Sequence, residues 1–391
     1  MSNVNKRKRR WEYYVMKRGD EFLPFWKELL SEKNRNLLVI MGLGFDPRMC
    51  QGLKALLDAG GTGRRKCLLI EYEEGANSPS KKYADLVEKN RHTLKKLIDT
   101  KGDIQSYKLQ MSSSEGLLGI GRRANDIFNN LEELSVFTDI VVDISAMPRS
   151  IYFSIIAKLI FLIDQEYQNK NNQSTTIPNL HLLVAENVNL DRCIRQQGID
   201  EKAICLHGFS GDLNLEGTAN LPKIWLPVLG EGKVTQLKLI HEYLGRPSEI
   251  CPILPSPSLN PRRADALLLQ EYRELFFDEF QFESSNIIYA SEQNLFEAYR
   301  QIHQTIIQYN EALQILGGCK AFISPLSSKI LSIGSLLAAY EIRQSLELKK
   351  AGCRVGIAHV EAQGYYMVDA EEEYKKSELF TLWIAGECYE K

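Results

Sequence analysis

The sequence is short of the signals that assign a chain to a special class. None of its eight cysteines forms a CxxC pair, and none of its six histidines falls in an HExxH or HxxxH pattern, so a zinc site is not expected. The cysteines, at 50, 67, 193, 205, 251, 319, 353 and 388, lie mostly in apolar segments such as Lys66-Cys67-Leu68-Leu69-Ile70 and read as small buried hydrophobes. No charge of one sign dominates: 48 Lys plus Arg stand against 50 Asp plus Glu, a net charge of -2. Any polyanion must therefore be met by a local patch, not by a global field. Long hydrophobic runs are missing too. Ile155 to Ile163 is interrupted by Lys158 and is about half of the ~20 residues a membrane helix needs. The start lacks the apolar stretch of a signal peptide, because Lys6-Arg7-Lys8-Arg9-Arg10 runs into Trp11-Glu12-Tyr13-Tyr14. A cytoplasmic protein without membrane contact is the expectation. With 44% hydrophobic residues, 25% charged and only 13 prolines in 391, disorder and low complexity are excluded.

What is present is an alternation of short β-branched runs with longer amphipathic stretches, the pattern of a parallel sheet covered by helices. The length predicts two domains, each with its own core. Leu37 to Met41 reads as a strand that runs into Gly42-Leu43-Gly44-Phe45-Asp46-Pro47-Arg48 and then a helix. Strands follow at Cys67 to Tyr72 and Ile104 to Met111, with helices near 80–99 and 121–134. Asp139 to Ile144 is the next strand, and Ser145-Ala146-Met147-Pro148-Arg149-Ser150 opens an apolar helix. Leu180 to Glu186 completes the sheet. The second half repeats this order: Ile224 to Leu229 with Gly230-Glu231-Gly232, Ile250 to Leu254, Ile287 to Ala290, Lys320 to Ile323 with Ser324-Pro325-Leu326-Ser327-Ser328-Lys329, and Val355 to Val360. Helices are expected at 261–279 and 294–316. The fold class is therefore α/β, two tandem Rossmann-like doubly wound parallel-sheet units related by internal duplication. A basic arm and helix would occupy 1–35, the first unit 36–207 and the second 221–391.

Ligands of such sheets bind outside the carboxyl ends of the strands, where strand order reverses. Gly42 and Gly44, with Phe45, Asp46 and Arg48, form a tight turn whose amides can approach a phosphate or ribose; Asp46-Pro47 is equally a plain helix start. Ser145 to Ser150 make a more specific anion corner, in which a hydroxyl, helix-start amides and the Arg149 fork suit phosphate, or else a capped helix with a solvated Arg; Asp143 beside it can accept from a hydroxyl or base amine, or only pair with Arg149. Ser324, Ser327, Ser328 and Lys329 offer the same chemistry in the other half. Glu71 and Glu73 end the strand where a carboxylate would meet ribose hydroxyls. Arg262 and Arg263 are candidates for the matching pocket, and His359 reads as a core histidine. Lys6 to Arg10 is a solvated arm or a nucleic-acid contact. No metal site, cofactor or catalytic residue is assigned, and whether the chain is an enzyme stays open.

The strand ending in Asp143-Ile144-Ser145-Ala146-Met147-Pro148-Arg149-Ser150 resembles the ligand loop of CARF domains, Rossmann-like sensors of cyclic oligoadenylates. Gly42 to Arg48 occupies the other position from which that family contacts its ligand. Two such units in one chain are similar to the SAVED arrangement of antiphage signalling. The resemblance implies a phosphate-rich nucleotide ligand and an output that lies in an effector partner, or in the domain itself if it degrades its ligand. Pro148 stands where a small or hydroxyl residue is usual, and Ile323 where the second half would carry an acid. A second reading stays open: Gly42 to Arg48 with Glu71 is similar to the S-adenosylmethionine motifs of class I methyltransferases, and the same anion corners suit a nucleotide- or phosphoribosyl-processing enzyme.

Overall fold

The structure, a computed structural model, describes residues 9–32, 34–73, 78–99, 101–110, 118–129, 134–169, 177–196, 198–210, 213, 217–368 and 377–389. Strand β1 (Val15–Arg18) and helix α1 (Phe22–Glu32) lead into the first unit. That unit is β2 (Leu37–Leu43), α2 (Gln51–Asp58), β3 (Arg65–Glu73), α3 (Ala84–Ile98), β4 (Gly102–Gln110), α4 (Leu118–Asn125), β5 (Asp139–Asp143), α5 (Arg149–Asn169) and β6 (Asn179–Glu186). A connecting stretch holds α6 (Val188–Cys193), β7 (Ile194–Gln196) and β8 (Ile204–Cys205). The second unit runs through β9 (Lys223–Val228), α7 (Val234–Leu244), β10 (Glu249–Ile250), β11 (Ile253–Pro255), α8 (Arg263–Asp265), β12 (Ile288–Ala290), α9 (Leu295–Ala312), β13 (Lys320–Pro325), α10 (Lys329–Gln344), α11 (Leu346–Lys350) and β14 (Arg354–His359). Two last strands, β15 (Tyr365–Met367) and β16 (Glu378–Ala385), follow.

The fold class is as expected. In the first sheet the parallel strands lie in the order β4-β3-β2-β5-β6, and in the second β12-β11-β9-β13-β14. Each unit, counted along its own chain, thus has the doubly wound 3-2-1-4-5 order, with its switch point between first and fourth strands. Every residue of β2 and β5 is buried, as continuous apolar runs of a sheet covered on both faces must be. Helices α5 and α10 are apolar around most of their circumference because they pack against each other between the two sheets.

That packing adds to one expectation. Each unit keeps a core of its own, around Leu53 and Val141 in the first and Trp225 and Leu237 in the second, but a larger hydrophobic cluster also joins the two, with Ile140, Val142 and Leu159 against Ile323, Leu336 and Ile357. The expected boundaries change as well. β16 leaves the second unit and pairs antiparallel with β6 of the first sheet, β1 pairs with β16 beyond it, and β8 pairs antiparallel with β14 of the second. The reason is local. Phe380, Leu382 and Ile384 alternate along β16 and are fully buried, and β6 otherwise presents an unpaired edge of backbone donors and acceptors.

Several helix limits differ too. The 80–99 helix starts with a 3-10 turn at Pro79–Tyr83, the 121–134 helix ends at Asn125, and the 261–279 helix continues from α8 as π-helical turns Ala266–Glu271 and Glu274–Glu279. Six of the eight cysteines are buried and all eight are free thiols. Of the basic arm, Lys6 to Lys8 lie outside the described residues. Arg9 pairs with Glu12 at 2.7 Å, and Arg10 pairs with Asp164 of α5 at 2.5 Å while its N–H donates to Glu341 of α10. Arg10 is thus docked on both units and Arg9 is held locally by Glu12, so these two arginines are not a free nucleic-acid arm. No helix among the described residues is long and apolar enough to cross a membrane.

Candidate functional site

The two switch points face each other, and between them lies a cavity of ≈ 830 Å3. Its floor comes from the loops after β2 and β5 (Phe45, Asp46, Met147, Arg149) and the loops after β9 and β13 (Gly230 to Lys233, Ser327 to Lys329). One side is the antiparallel ribbon of β7 with β15, which contributes Arg195, Gln196, Tyr365 and Tyr366. Tyr83 fixes this ribbon, accepting from the Met367 N–H at 2.9 Å and donating to its carbonyl at 3.0 Å.

Of the proposed site residues Phe45, Asp46, Arg149, Ser327, Ser328 and Lys329 reach the cavity, and the Glu73 side chain lies outside what the structure describes. The two basic residues are arranged reciprocally. Arg149 of the first unit donates to the carbonyl of Ser327 in the second at 3.1 Å, and Lys329 of the second unit donates to the carbonyl of Ser145 in the first. The loops of each unit are thus braced by a cation from the other. Burial and then the charge of Arg48 lower the Lys329 amine below its ordinary value.

The remaining proposed residues are structural, each for a visible reason. Gly42 and Gly44 permit close approach of β2 to the loop after β5: a Cβ on Gly42 would meet Met147 at 3.3 Å, and one on Gly44 would meet the Tyr72 hydroxyl at 2.4 Å. That hydroxyl donates to the Ala146 carbonyl at 2.9 Å. Arg48 is buried and saturated, paired with Asp46 and Asp191, each at 2.8 Å, and donating to the Ala185 carbonyl. Glu71 pairs with Arg91 at 2.9 Å, outside the cavity. The Ser145 hydroxyl is fully buried and accepts from the Ala185 N–H at 2.8 Å; that of Ser324 accepts from the Trp225 indole N–H at 2.9 Å. Neither faces a ligand, which corrects the expectation that both hold phosphate. Asp143 accepts from the Ser145 N–H, and burial pushes its carboxyl up to about 6. Ser150 is buried beside Glu361. Of the lesser candidates, Arg262 lies on the surface with its N–H on Asn260, while Arg263 reaches the cavity held between Glu231, at 2.7 Å, and Glu292.

Sequence reasoning missed the wall residues Glu186 and Lys233 and, behind the wall, Glu361. Glu186 ends β6 and Glu361 follows β14 at the matching place, both as the acid after an apolar strand. Glu361 sits 3.1 Å from the His359 imidazole; burial would raise its carboxyl, but His359, Ser150 and Arg149 hold it below the usual range. Glu186 has no such neighbour. Burial and the charge of Asp191 push it up to about 8, against Arg48 and Lys329. Lys233, whose amine donates to Gln196 at 3.1 Å, is brought down to about 8 by burial and Arg149. The repeated strand-end glutamate was the available signal; Lys233 had one in its place straight after Gly230-Glu231-Gly232. Buried polar atoms without a hydrogen bond gather here: Arg149 Nε, Glu186 Oε2, Ser327 Oγ and His359 Nδ1 all belong to cavity-lining residues. Among the described residues no group of His, Cys, Asp and Glu is placed to hold a metal ion.

No protein-family profile and no curated protein matches the chain. Among solved structures it is similar to a deacetylase of the teicoplanin biosynthetic pathway, with a TM-score of 0.25 and 12% identity over 42% of this chain and 73% of that one. It is also similar to a protein described as a universal stress protein from Pseudomonas aeruginosa, with a TM-score of 0.21 and 12% identity over 83% and 93% of the two chains. Neither likeness is close enough to bear on what the cavity does.

Proposed function

We propose that the chain is a nucleotide-binding sensor of the CARF/SAVED kind, in which two Rossmann-like units hold one phosphate-rich ligand between their switch points. The observation that carries this reading is the cavity. It is formed by matching loops of both units, it draws one cation from each, and it concentrates buried polar atoms that lack partners. A buried polar atom left unpaired costs about 1–3 kcal/mol, so their clustering favours a polar occupant. Arg149 and Lys329 neutralise phosphate; Phe45, Tyr365 and Tyr366 offer ring faces to bases. An anion competes for the two cations that now brace the opposite unit, so binding shifts the fit between units and is read by an effector partner in the cytoplasm.

The reading as a methyltransferase finds less support, since Gly42, Gly44 and Glu71, which carry that resemblance, do not line the cavity. Calorimetry across cyclic and linear nucleotides tests the sensor directly. Arg149→Ala weakens the binding of a recognised nucleotide by about 1.5–3 kcal/mol, the worth of a charged hydrogen bond. Absence of binding across the whole panel defeats the reading.

A further inference from the structure

Glu186 is a wall residue that the functional reading leaves unused. It projects from the end of β6 into a cavity where the bases Arg149, Arg195, Lys233, Arg263 and Lys329 outnumber the other acids Asp46, Asp191 and Glu231, and its Oε2 is buried without a hydrogen bond. Titratable groups face it from the elements around it: Arg48 from the loop after β2, the Tyr152 hydroxyl from α5, Asp191 from α6, Lys329 from the start of α10, and Arg263 with Glu292 from the second unit. The cations among them are already engaged. Arg48 lies between Asp46 and Asp191, Arg263 between Glu231 and Glu292, and Lys329 donates to the Ser145 carbonyl. An ionised Glu186 would thus face a bound phosphate across the same cavity with no cation of its own, and two anions in contact without a shared proton repel strongly.

We infer that Glu186 is a ligand-binding residue that keeps its proton and donates it in a hydrogen bond to an anionic oxygen held by Lys329, so that anion binding at this corner is coupled to one proton. This deepens the sensor reading and rests on the same cavity. The matching residue of the other unit shows the contrast: Glu361 is tied to His359 and sits behind the wall, where it stays ionised. The free carboxyl of Glu186 already stands at about 8, so the coupling appears on the alkaline side. The sign follows: the donor is present below that value, no extra proton is taken up there, and affinity falls as pH rises through it.

The test is calorimetry of the full chain with inorganic triphosphate and with the nucleotide panel, in buffers of different ionisation enthalpy, at about pH 7 and about pH 9, comparing wild type with Glu186→Gln. Glutamine keeps a donor but cannot titrate. The wild type takes up close to one proton more than the variant on binding at the higher pH, and its affinity falls toward tenfold per pH unit beyond that of the variant. Titration of the probe and of Lys233 is common to both proteins and cancels. If Glu186→Gln does not fold, a Lys233→Met variant decides, through uptake at the higher pH that exceeds that of the free probe and persists without Lys233. Nucleotide binding with no excess proton uptake overturns the inference and leaves the sensor reading standing. Proton-coupled triphosphate binding with no nucleotide bound does the reverse. Absence of all binding overturns both.

Discussion

The two switch-point corners of this molecule have the same plan and different chemistry. In each, a loop serine (Ser145, Ser324) is spent on an internal hydrogen bond, and a basic residue a few positions on (Arg149, Lys329) crosses to the opposite unit. Each also holds a buried arginine between two acids: Arg48 between Asp46 and Asp191, Arg263 between Glu231 and Glu292. The difference lies in the strand-end acids. Glu361 has a histidine partner and Glu186 has none. Equivalent backbone positions thus acquire opposite electrostatic roles from one neighbouring side chain, and the shared frame is what makes the difference readable.

The largest expected effect tests the shared part. Arg48→Ala leaves Asp46 and Asp191 without the cation that pairs them, and removing one partner of a buried ion pair costs about 3–5 kcal/mol. Arg263→Ala does the same beside Glu231 and Glu292. Urea denaturation of both variants should show losses of this size. A loss confined to one of them breaks the equivalence of the corners.

Next come the serines. Ser145→Ala strands the buried Ala185 N–H, and Ser324→Ala strands the Trp225 indole N–H, each at about 1–3 kcal/mol of stability. Neither changes nucleotide affinity at a saturating folded fraction, whereas Arg149→Ala changes affinity. A Kd that moves with Ser145→Ala as far as with Arg149→Ala would return the hydroxyl to the ligand.

The acids separate by pH. The folded carboxyl of Glu361 is held below its unfolded value, so its contribution is present near neutrality and is lost as pH falls through the folded value. For Glu186, raised to about 8, the contribution is present in acid and is lost as pH rises toward that value. Glu361→Gln therefore destabilises at neutral pH, and Glu186→Gln stabilises in mild alkali relative to wild type. Denaturation midpoints at three pH values read both signs, and equal signs would dissolve the contrast.

Much of this frame was legible in the residues. Apolar runs such as Asp139 to Ile144 and Lys320 to Ile323, each followed by a serine loop and an apolar helix, announced the duplicated topology because parallel strands buried on both faces have little choice of composition. Arg149 and Lys329 were found through their place in those loops. The rest depended on contacts remote in sequence. β16 belongs to the first sheet because β6 offers an edge there, and no local pattern at Glu378 to Ala385 says which edge a strand will join. Ser145 and Ser324 look like ligand hydroxyls until the Ala185 amide and the Trp225 ring are seen to occupy them. Glu186 carries no local signal of its role, since its environment is assembled from segments remote in sequence.

The smallest expected effect concerns the helix starts. α10 is capped by Ser328, whose hydroxyl accepts from the Leu331 N–H at 3.4 Å, while α5 opens after Pro148, which offers no side-chain acceptor. Ser328 also lines the cavity, and a hydroxyl that accepts from an amide still has its own proton to give. Two substitutions divide these roles. Ser328→Ala removes cap and donor together, at about 0.5–2 kcal/mol of stability, whereas glycine, a tolerable cap, costs only a few tenths. If the hydroxyl serves α10 alone, Ser328→Gly is close to wild type in both stability and nucleotide affinity. If it also serves the ligand, as its place in the cavity argues, Ser328→Gly recovers most of the stability but stays about 0.5–1.5 kcal/mol weaker in binding, the same deficit as Ser328→Ala. Measured side by side in denaturant and by calorimetry, the pair shows whether the second corner adds a hydroxyl to the site that the first, with Pro148, cannot supply.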